Sequence, residues 1–165
     1  WRYPGWRISW TVGPKEVINT ISSAGSFLDG GANNPFQPQV LQLLDPEHVV
    51  EDTASTQNYF RRKRDYMLER LYGMGVGVEA EPEGTFYVWA NLEQLPEPLN
   101  DGLQFFKEGL NENVITVPGI FFDVNPERRR TYARYHKYCR ISFGPGMPAL
   151  EQGLDALEHM IRKHS

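Results

Sequence analysis

The stretch from about Glu47 to Met74 limits what this chain can fold into more than any other. Phe60, Met67 and Met74 recur every seven residues, Leu71 fills one intermediate position, and Arg64 interrupts the other. That spacing lays one apolar stripe along a helix. Arg61, Arg62, Lys63, Asp65, Glu69 and Arg70 make the rest of its surface a wet face, and Gly73 and Gly75 end it. Beyond it the pattern changes to short strands and turns. Gly77 to Glu81 and Thr85 to Asn91 read as strands joined across the turn Pro82-Glu83-Gly84. Asp101 to Asn111 reads as a helix with Leu103, Phe106 and Leu110 on one face. Val114 to Val117, closed by Pro118-Gly119, and Cys139 to Phe143 read as further strands. Leu150, Leu154, Leu157 and Ile161 mark a closing amphipathic helix. The order predicts an α+β layer of mainly antiparallel strands covered on one side by helices, with residues 85–91 and 138–143 in one sheet.

The residues before Glu47 are organised differently. Ile8 to Val12 is apolar and reads as a short strand ended by Gly13-Pro14. Val17, Ile18, Ile21 and Ala24 then carry helical spacing, the turn formers of residues 29–35 break it, and a short helix follows over Gln39 to Leu44. These first residues do not close a layer alone. The expected division is therefore the end of a larger domain over residues 1–45, an interdomain helix over 46–74, and a small domain over 75–165.

Composition removes several function classes. A net charge of −4 weighs against a nucleic-acid partner, because phosphate binding wants a basic surface. No apolar run reaches the roughly 18 residues of a membrane span, so no membrane partner is expected. Cys139 is the only cysteine, which rules out an intramolecular disulfide and fits a reducing, cytoplasmic compartment. His48, His136, His159 and His164 have no metal-ligand spacing, and no metal is expected. Arg128, Arg129, Arg130, Arg134 and Lys137, interleaved with Tyr132, Tyr135 and His136, form a basic run inside a long connection over residues 120–137. A nucleic-acid site has such a run, but under an acidic total a solvated connection is the better reading. Its length also suits a lid over a site. The opening residues Trp1-Arg2-Tyr3-Pro4-Gly5-Trp6-Arg7 lack the apolar stretch of a signal peptide and read as the interior of a longer protein.

Three segments together carry a resemblance. They are Pro4-Gly5-Trp6-Arg7-Ile8-Ser9-Trp10 with Val12-Gly13-Pro14; Glu83-Gly84-Thr85-Phe86-Tyr87-Val88-Trp89; and Val117-Pro118-Gly119 followed by Arg140-Ile141-Ser142-Phe143-Gly144. In this order and at these separations they resemble the C-terminal half of class I/II aminotransferases, the fold-type-I enzymes that use pyridoxal 5'-phosphate. The resemblance covers nearly the whole chain. It implies an α/β protein overall, of which this chain is the tail of the large domain plus an α+β small domain. It implies transfer of an amino group between an amino acid and a 2-keto acid, in a homodimer. The motifs equally suit a lyase of the same fold, acting on carbon–sulfur bonds or resembling aminocyclopropanecarboxylate synthase. They also suit the aminotransferase-like sensor domain of a transcription regulator.

Taken alone, Arg7 reads as a surface arginine. Under the resemblance it is the arginine that binds the cofactor phosphate, and the Schiff-base lysine is then expected two residues before Trp1. Arg140 reads alone as a solvated strand residue near Lys137; the resemblance makes it the partner of the substrate's α-carboxylate. A guanidinium suits both tasks because its planar fork forms paired, charge-assisted hydrogen bonds to two oxygens. The resemblance further makes Gly119 part of the substrate entrance. It makes the Asn33-Asn34 turn a contact to the partner subunit's site, although these residues depart from the Ser-rich form common in the family. The alternative for both is an ordinary turn.

Lys15 follows Gly13-Pro14 at a helix start, where nothing desolvates it. Mixing this chain with pyridoxal phosphate and reducing with borohydride should therefore leave no stoichiometric label on Lys15 and give no turnover. A one-to-one label there, with turnover, would contradict the reading.

Overall fold

The computed structural model describes residues 4–165. Contacts divide the chain into two units, one ending at Gln57 and the other running from Asn58 to Ser165. The division falls inside a helix.

In the N-terminal unit a 3-10 turn at Pro4–Trp6 precedes α1 (Lys15–Leu28), α2 (Gln37–Val40), a 3-10 turn at Leu41–Leu44 and the first part of α3 (Pro46–Gly73). The strand expected over Ile8 to Val12 does not form, since residues 7–14 carry no regular structure. A strand needs a neighbour to receive its hydrogen bonds, and among the described residues this unit contains no other extended segment. Among residues 4–57 none is buried; Val12 of the expected strand and Val17 and Ile21 of the helical pattern are exposed, as is Phe27. The ring of Trp6 stacks on that of Phe36 with centroids 5.1 Å apart. Asp45 starts α3, its Oδ1 accepting from the backbone N–H groups of Glu47 and His48.

The C-terminal unit is built on a three-stranded antiparallel sheet of β1 (Tyr87–Asn91), β2 (Val117–Pro118) and β3 (Tyr138–Ser142), in the order β1-β3-β2. β1 pairs with β3 so that Trp89 lies opposite Arg140, and β2 pairs with β3 from the other side so that Val117 also faces Arg140. Of the strand expected over Gly77 to Glu81 only a single bridge forms, between Gly77 and Asn91. Alternation sorts the two faces. Val88, Ala90, Cys139 and Ile141 are buried in one core with Met67, Leu68 and Leu71 of α3. Phe105 of α4 (Gly102–Asn111), Leu150, Leu154, Leu157, Met160 and Ile161 of α5 (Met147–His164), and Val76, Leu92, Leu95, Leu99 and Phe143 between the elements belong to it too. α4 begins where Asp101 accepts from the N–H groups of Leu103 and Gln104, both at 3.0 Å, which satisfies two donors of the first turn.

Lys63 corrects the expectation of a wet face at that position of α3. It is 1% exposed and lies on the buried stripe with Met67 and Leu71. An ammonium can be buried when its donors are taken. Nζ of Lys63 donates to the carbonyls of Gly144 and Pro145 at 3.0 Å each, and it sits 4.2 Å from the ring centroids of Tyr59 and Phe60.

The long connection from Gly119 to Lys137 is not merely solvated either. Arg130 donates to both carboxylate oxygens of Asp123, at 2.6 and 3.1 Å, and to the Val124 carbonyl at 3.0 Å. The Asn125 side chain accepts from the N–H of Arg130 and donates to its carbonyl. The backbone N–H of Arg134 donates to Asp123 at 2.9 Å. Gly119 fits where no other residue would, because a Cβ there would meet the carbonyl oxygens of Tyr135 at 2.3 Å and Tyr138 at 2.8 Å.

Two outcomes follow from this packing. Leu71→Ala removes a side chain with no exposed surface and should cost the C-terminal unit about 2–5 kcal/mol in denaturant titration; a cost below about 1 kcal/mol would mean the core is not closed there. The Arg130 guanidinium, followed by the Arg134 N–H, holds the Asp123 carboxyl below the usual carboxylate range. A depressed carboxyl stabilises the fold above its unfolded pKa and loses that contribution as pH falls through the folded one. The near-UV circular dichroism of the aromatic cluster around Trp89 should therefore change as pH falls below about 4, and Asp123→Asn should remove that step. An unaltered acid transition in the variant would contradict the assignment.

Candidate functional site

The sheet face turned away from the core carries Tyr87, Trp89 and Asn91 from β1 and Tyr138, Arg140 and Ser142 from β3, all half-buried. Arg140 lies at its centre, between Trp89 on one neighbouring strand and Val117 on the other. Its guanidinium carbon is 4.0 Å from the ring centroid of Tyr87 and 4.9 Å from that of Phe122, both within cation–π range. Trp89 is held in turn by edge contacts with Phe122 at 5.6 Å and Tyr135 at 5.5 Å, and by stacking on Tyr138 at 5.7 Å. Among the described residues no carboxylate pairs with Arg140, and its buried Nε has no hydrogen-bond partner. The other half-buried arginines behave differently: Arg64, Arg70 and Arg130 each hold an internal carboxylate. An arginine framed by rings and lacking an internal acid has its fork available to an oxyanion from outside.

The N-terminal unit holds a second feature. A cavity of about 540 Å³ is lined by Arg7, Ser9, Ile21, Ser22, Gly25, Ser26 and residues 29–32. Arg7 sits in the left-handed region at φ 55°, a conformation that costs a non-glycine residue free energy and is concentrated at functional positions. The strand expected to follow Arg7 at Ile8 does not form, and the 3-10 turn before it holds Arg7 instead: its N–H and its Nη1 both donate to the Pro4 carbonyl, at 3.2 and 3.1 Å. Ser22 and Ser26 are one turn apart on α1 and add hydroxyls to the same cavity. One charged planar donor with three serine hydroxyls is a donor set that fits a phosphate group. Asp29 brings a carboxylate to the rim, and its Oδ1 accepts from the Gly31 N–H at 3.3 Å.

Arg7 and Arg140 belong to different units, and each is described within its own. Gly119 is buried against the backbone of Tyr135 and Tyr138, at the start of the 3-10 turn that carries Phe122. Oδ1 of Asn33 accepts from the Phe36 N–H at 3.3 Å and so shapes the entry to α2, while Asn34 is exposed in the turn. Sequence reasoning missed Tyr87 and Phe122 as neighbours of Arg140, and Ser22 and Ser26 as neighbours of Arg7. The alternation of β1 could have found Tyr87, and the four-residue spacing of the serines carried a readable signal; nothing in the sequence ties Phe122 to Arg140.

Residues 2–157 match the family described as aminotransferase class I and II. Glutamate-pyruvate aminotransferase AlaC of Escherichia coli (strain K12) is 34% identical over 120 residues, which cover 72% of this chain and 28% of that protein. A probable N-acetyl-LL-diaminopimelate aminotransferase of Bacillus subtilis (strain 168) is 27% identical over 161 residues, covering 96% of this chain and 37% of the relative. The chain thus spans between about a quarter and two fifths of the length of these relatives. Among solved structures, the aspartate aminotransferase from Thermus thermophilus with maleate superposes with a TM-score of 0.72 at 25% identity, over 95% of this chain and 37% of that one. With a family match across nearly all of its residues, this chain belongs to the class I and II aminotransferases.

Proposed function

We propose that the intact protein is a pyridoxal-phosphate-dependent aminotransferase exchanging an amino group between an amino acid and a 2-keto acid. The observation that carries this beyond family membership is the state of Arg140, ring-framed and, among the described residues, without an internal carboxylate. In this reading Arg140 takes the α-carboxylate of the substrate. A bidentate fork fixes an amino acid in one orientation and so presents its Cα–H bond consistently to the catalytic base. Arg7, with Ser9, Ser22 and Ser26 beside it, takes the cofactor phosphate. Pyridoxal phosphate, when bound, supplies the electron sink that allows the Cα–H bond to break. This chain's own contribution is to bind and orient: one arginine for the cofactor, one for the substrate.

Support for a carboxylate ligand also comes from the relative whose solved structure carries maleate, a dicarboxylate. The relatives named above are aminotransferases, which favours amino-group transfer over the lyase reading. We assign the intact protein to a homodimer, with the exposed turn at Asn33 and Asn34 as its contact to the partner's site and Gly119 as the base of the substrate entrance.

In the intact protein, Arg140→Ala should raise KM for amino acids and weaken maleate binding by roughly 10- to 150-fold, the worth of a charge-assisted bidentate pair. Arg140→Lys should recover only part of this, since an ammonium is a point charge and cannot form the fork. Cofactor retention should hardly change. Arg7→Ala should do the converse, releasing cofactor with a lesser change in substrate discrimination. If Arg140→Ala lost cofactor and kept normal substrate affinity, the two roles would be wrongly assigned.

A further inference from the structure

The fork of Arg140 is useful to a carboxylate only if it is held in one place, and an arginine has four side-chain torsions to be fixed. Trp89 and Tyr87 come from the neighbouring strand and are set by sheet register. Phe122 is different. It ends the 3-10 turn Gly119–Phe122, its ring is 4.9 Å from the Arg140 guanidinium carbon, and 37% of the residue is exposed. The apolar residues on either side of it give no anchor by burial, since Phe121 is 67% and Val124 82% exposed. What fixes this arm is the residue that follows. The Asp123 side chain is 7% exposed and receives the Arg130 guanidinium on both oxygens. Arg130 reaches on to the Val124 carbonyl, Asn125 bonds both the N–H and the carbonyl of Arg130, and the Arg134 N–H closes on Asp123. The two arms of the connection are thus tied to each other directly behind Phe122. The adjoining Arg129 does nothing similar: among the described residues it pairs only with exposed Glu127.

We propose that Phe122 and the Asp123–Arg130 ion pair are positioning residues for the carboxylate site, the pair acting through the Phe122 ring to hold the Arg140 guanidinium in its binding position. None of the three touches the reacting atoms. The proposal rests on the assignment of Arg140 to the substrate carboxylate and extends it: the grip of that arginine is set by a clasp seventeen to ten residues earlier in the chain. When the clasp is broken, the ring leaves Arg140 and only a fraction of molecules present the fork. Apparent affinity for a carboxylate then falls by that fraction, while the affinity of the competent state and the cofactor site are untouched.

The test uses the intact, cofactor-loaded protein, with maleate and 2-methylalanine, an amino acid that has no Cα–H to lose, as carboxylate probes. Phe122→Leu and Asp123→Asn should each raise Kd for the probes, and KM for the amino acid turned over fastest, by about tenfold if the competent fraction drops to about a tenth. kcat at saturation and cofactor affinity should change by less than about twofold. Phe122→Tyr, which restores a ring, should recover most of the loss. The decisive arm is the double variant. Because Asp123 acts through Phe122, Phe122→Leu with Asp123→Asn should be no worse than Phe122→Leu alone, whereas a general loss of packing would add. Additive losses, or Kd within about twofold of the parent in either single variant, overturn the proposal. Arg140→Ala separates the two levels: if it weakens probe binding while Phe122→Leu does not, this inference alone fails. If Arg140→Ala leaves probe binding intact, the carboxylate assignment fails and this inference with it.

Discussion

Antiparallel pairing of Tyr87–Asn91 with Tyr138–Ser142 sorts the side chains of the C-terminal unit into two populations. Because successive residues of a strand point to opposite faces, one register choice sends Val88, Ala90, Cys139 and Ile141 into the core and Tyr87, Trp89, Tyr138 and Arg140 to the other side. A slip of one residue would exchange the two sets, burying an arginine under α5 and exposing the core side chains. The register that closes the core is therefore the register that delivers Arg140 to the middle of an aromatic face. Cys139 records the same choice from the buried side, where burial alone raises its thiol far above the ordinary range and makes it inert.

Holding an arginine among rings without giving it an acid is a compromise between order and availability. A buried ion pair would fix the guanidinium more firmly and would also occupy it, as Asp123 occupies Arg130. Ring contacts at 4.0 and 4.9 Å contribute about 0.5–2 kcal/mol each, enough to restrict the side chain while leaving its in-plane donors for a ligand. A ligand that meets a pre-ordered fork loses less entropy on binding. Lys63 on α3 shows the opposite solution. Its ammonium is spent on the Gly144 and Pro145 carbonyls and braces the turn that leads from β3 into α5.

Much of this was legible in the sequence, and what was not has physical causes. The stripe of Phe60, Met67, Leu71 and Met74 fixes α3, and the apolar spacing from Leu150 to Ile161 fixes α5, because helical periodicity is local. The antiparallel sheet over 87–91 and 138–142 followed from alternation and turn chemistry. Arg7 and Arg140 stood out through the motifs around them, not through their own patterns. Strands at Ile8 to Val12 and Gly77 to Glu81 were over-read, because β-propensity says nothing about whether a partner strand exists. Lys63 was misread as solvated because its partners are carbonyls some eighty residues away. The same holds for Asp123 and Arg130: a basic run looks alike in sequence whether its arginines face water or one of them closes a loop.

In the proposed function the Arg140 guanidinium is held ready and is engaged by a substrate carboxylate. Arginine side-chain nitrogen resonances measure that directly. With the intact protein labelled at arginine nitrogen, and the Arg140 signal assigned by its disappearance in Arg140→Lys, maleate can be titrated in. The Arg140 Nε–H resonance should then shift saturably, with slowed exchange of its Nη protons, while the Arg130 signals stay fixed. Saturable maleate binding that leaves the Arg140 resonances unmoved would contradict the proposed role.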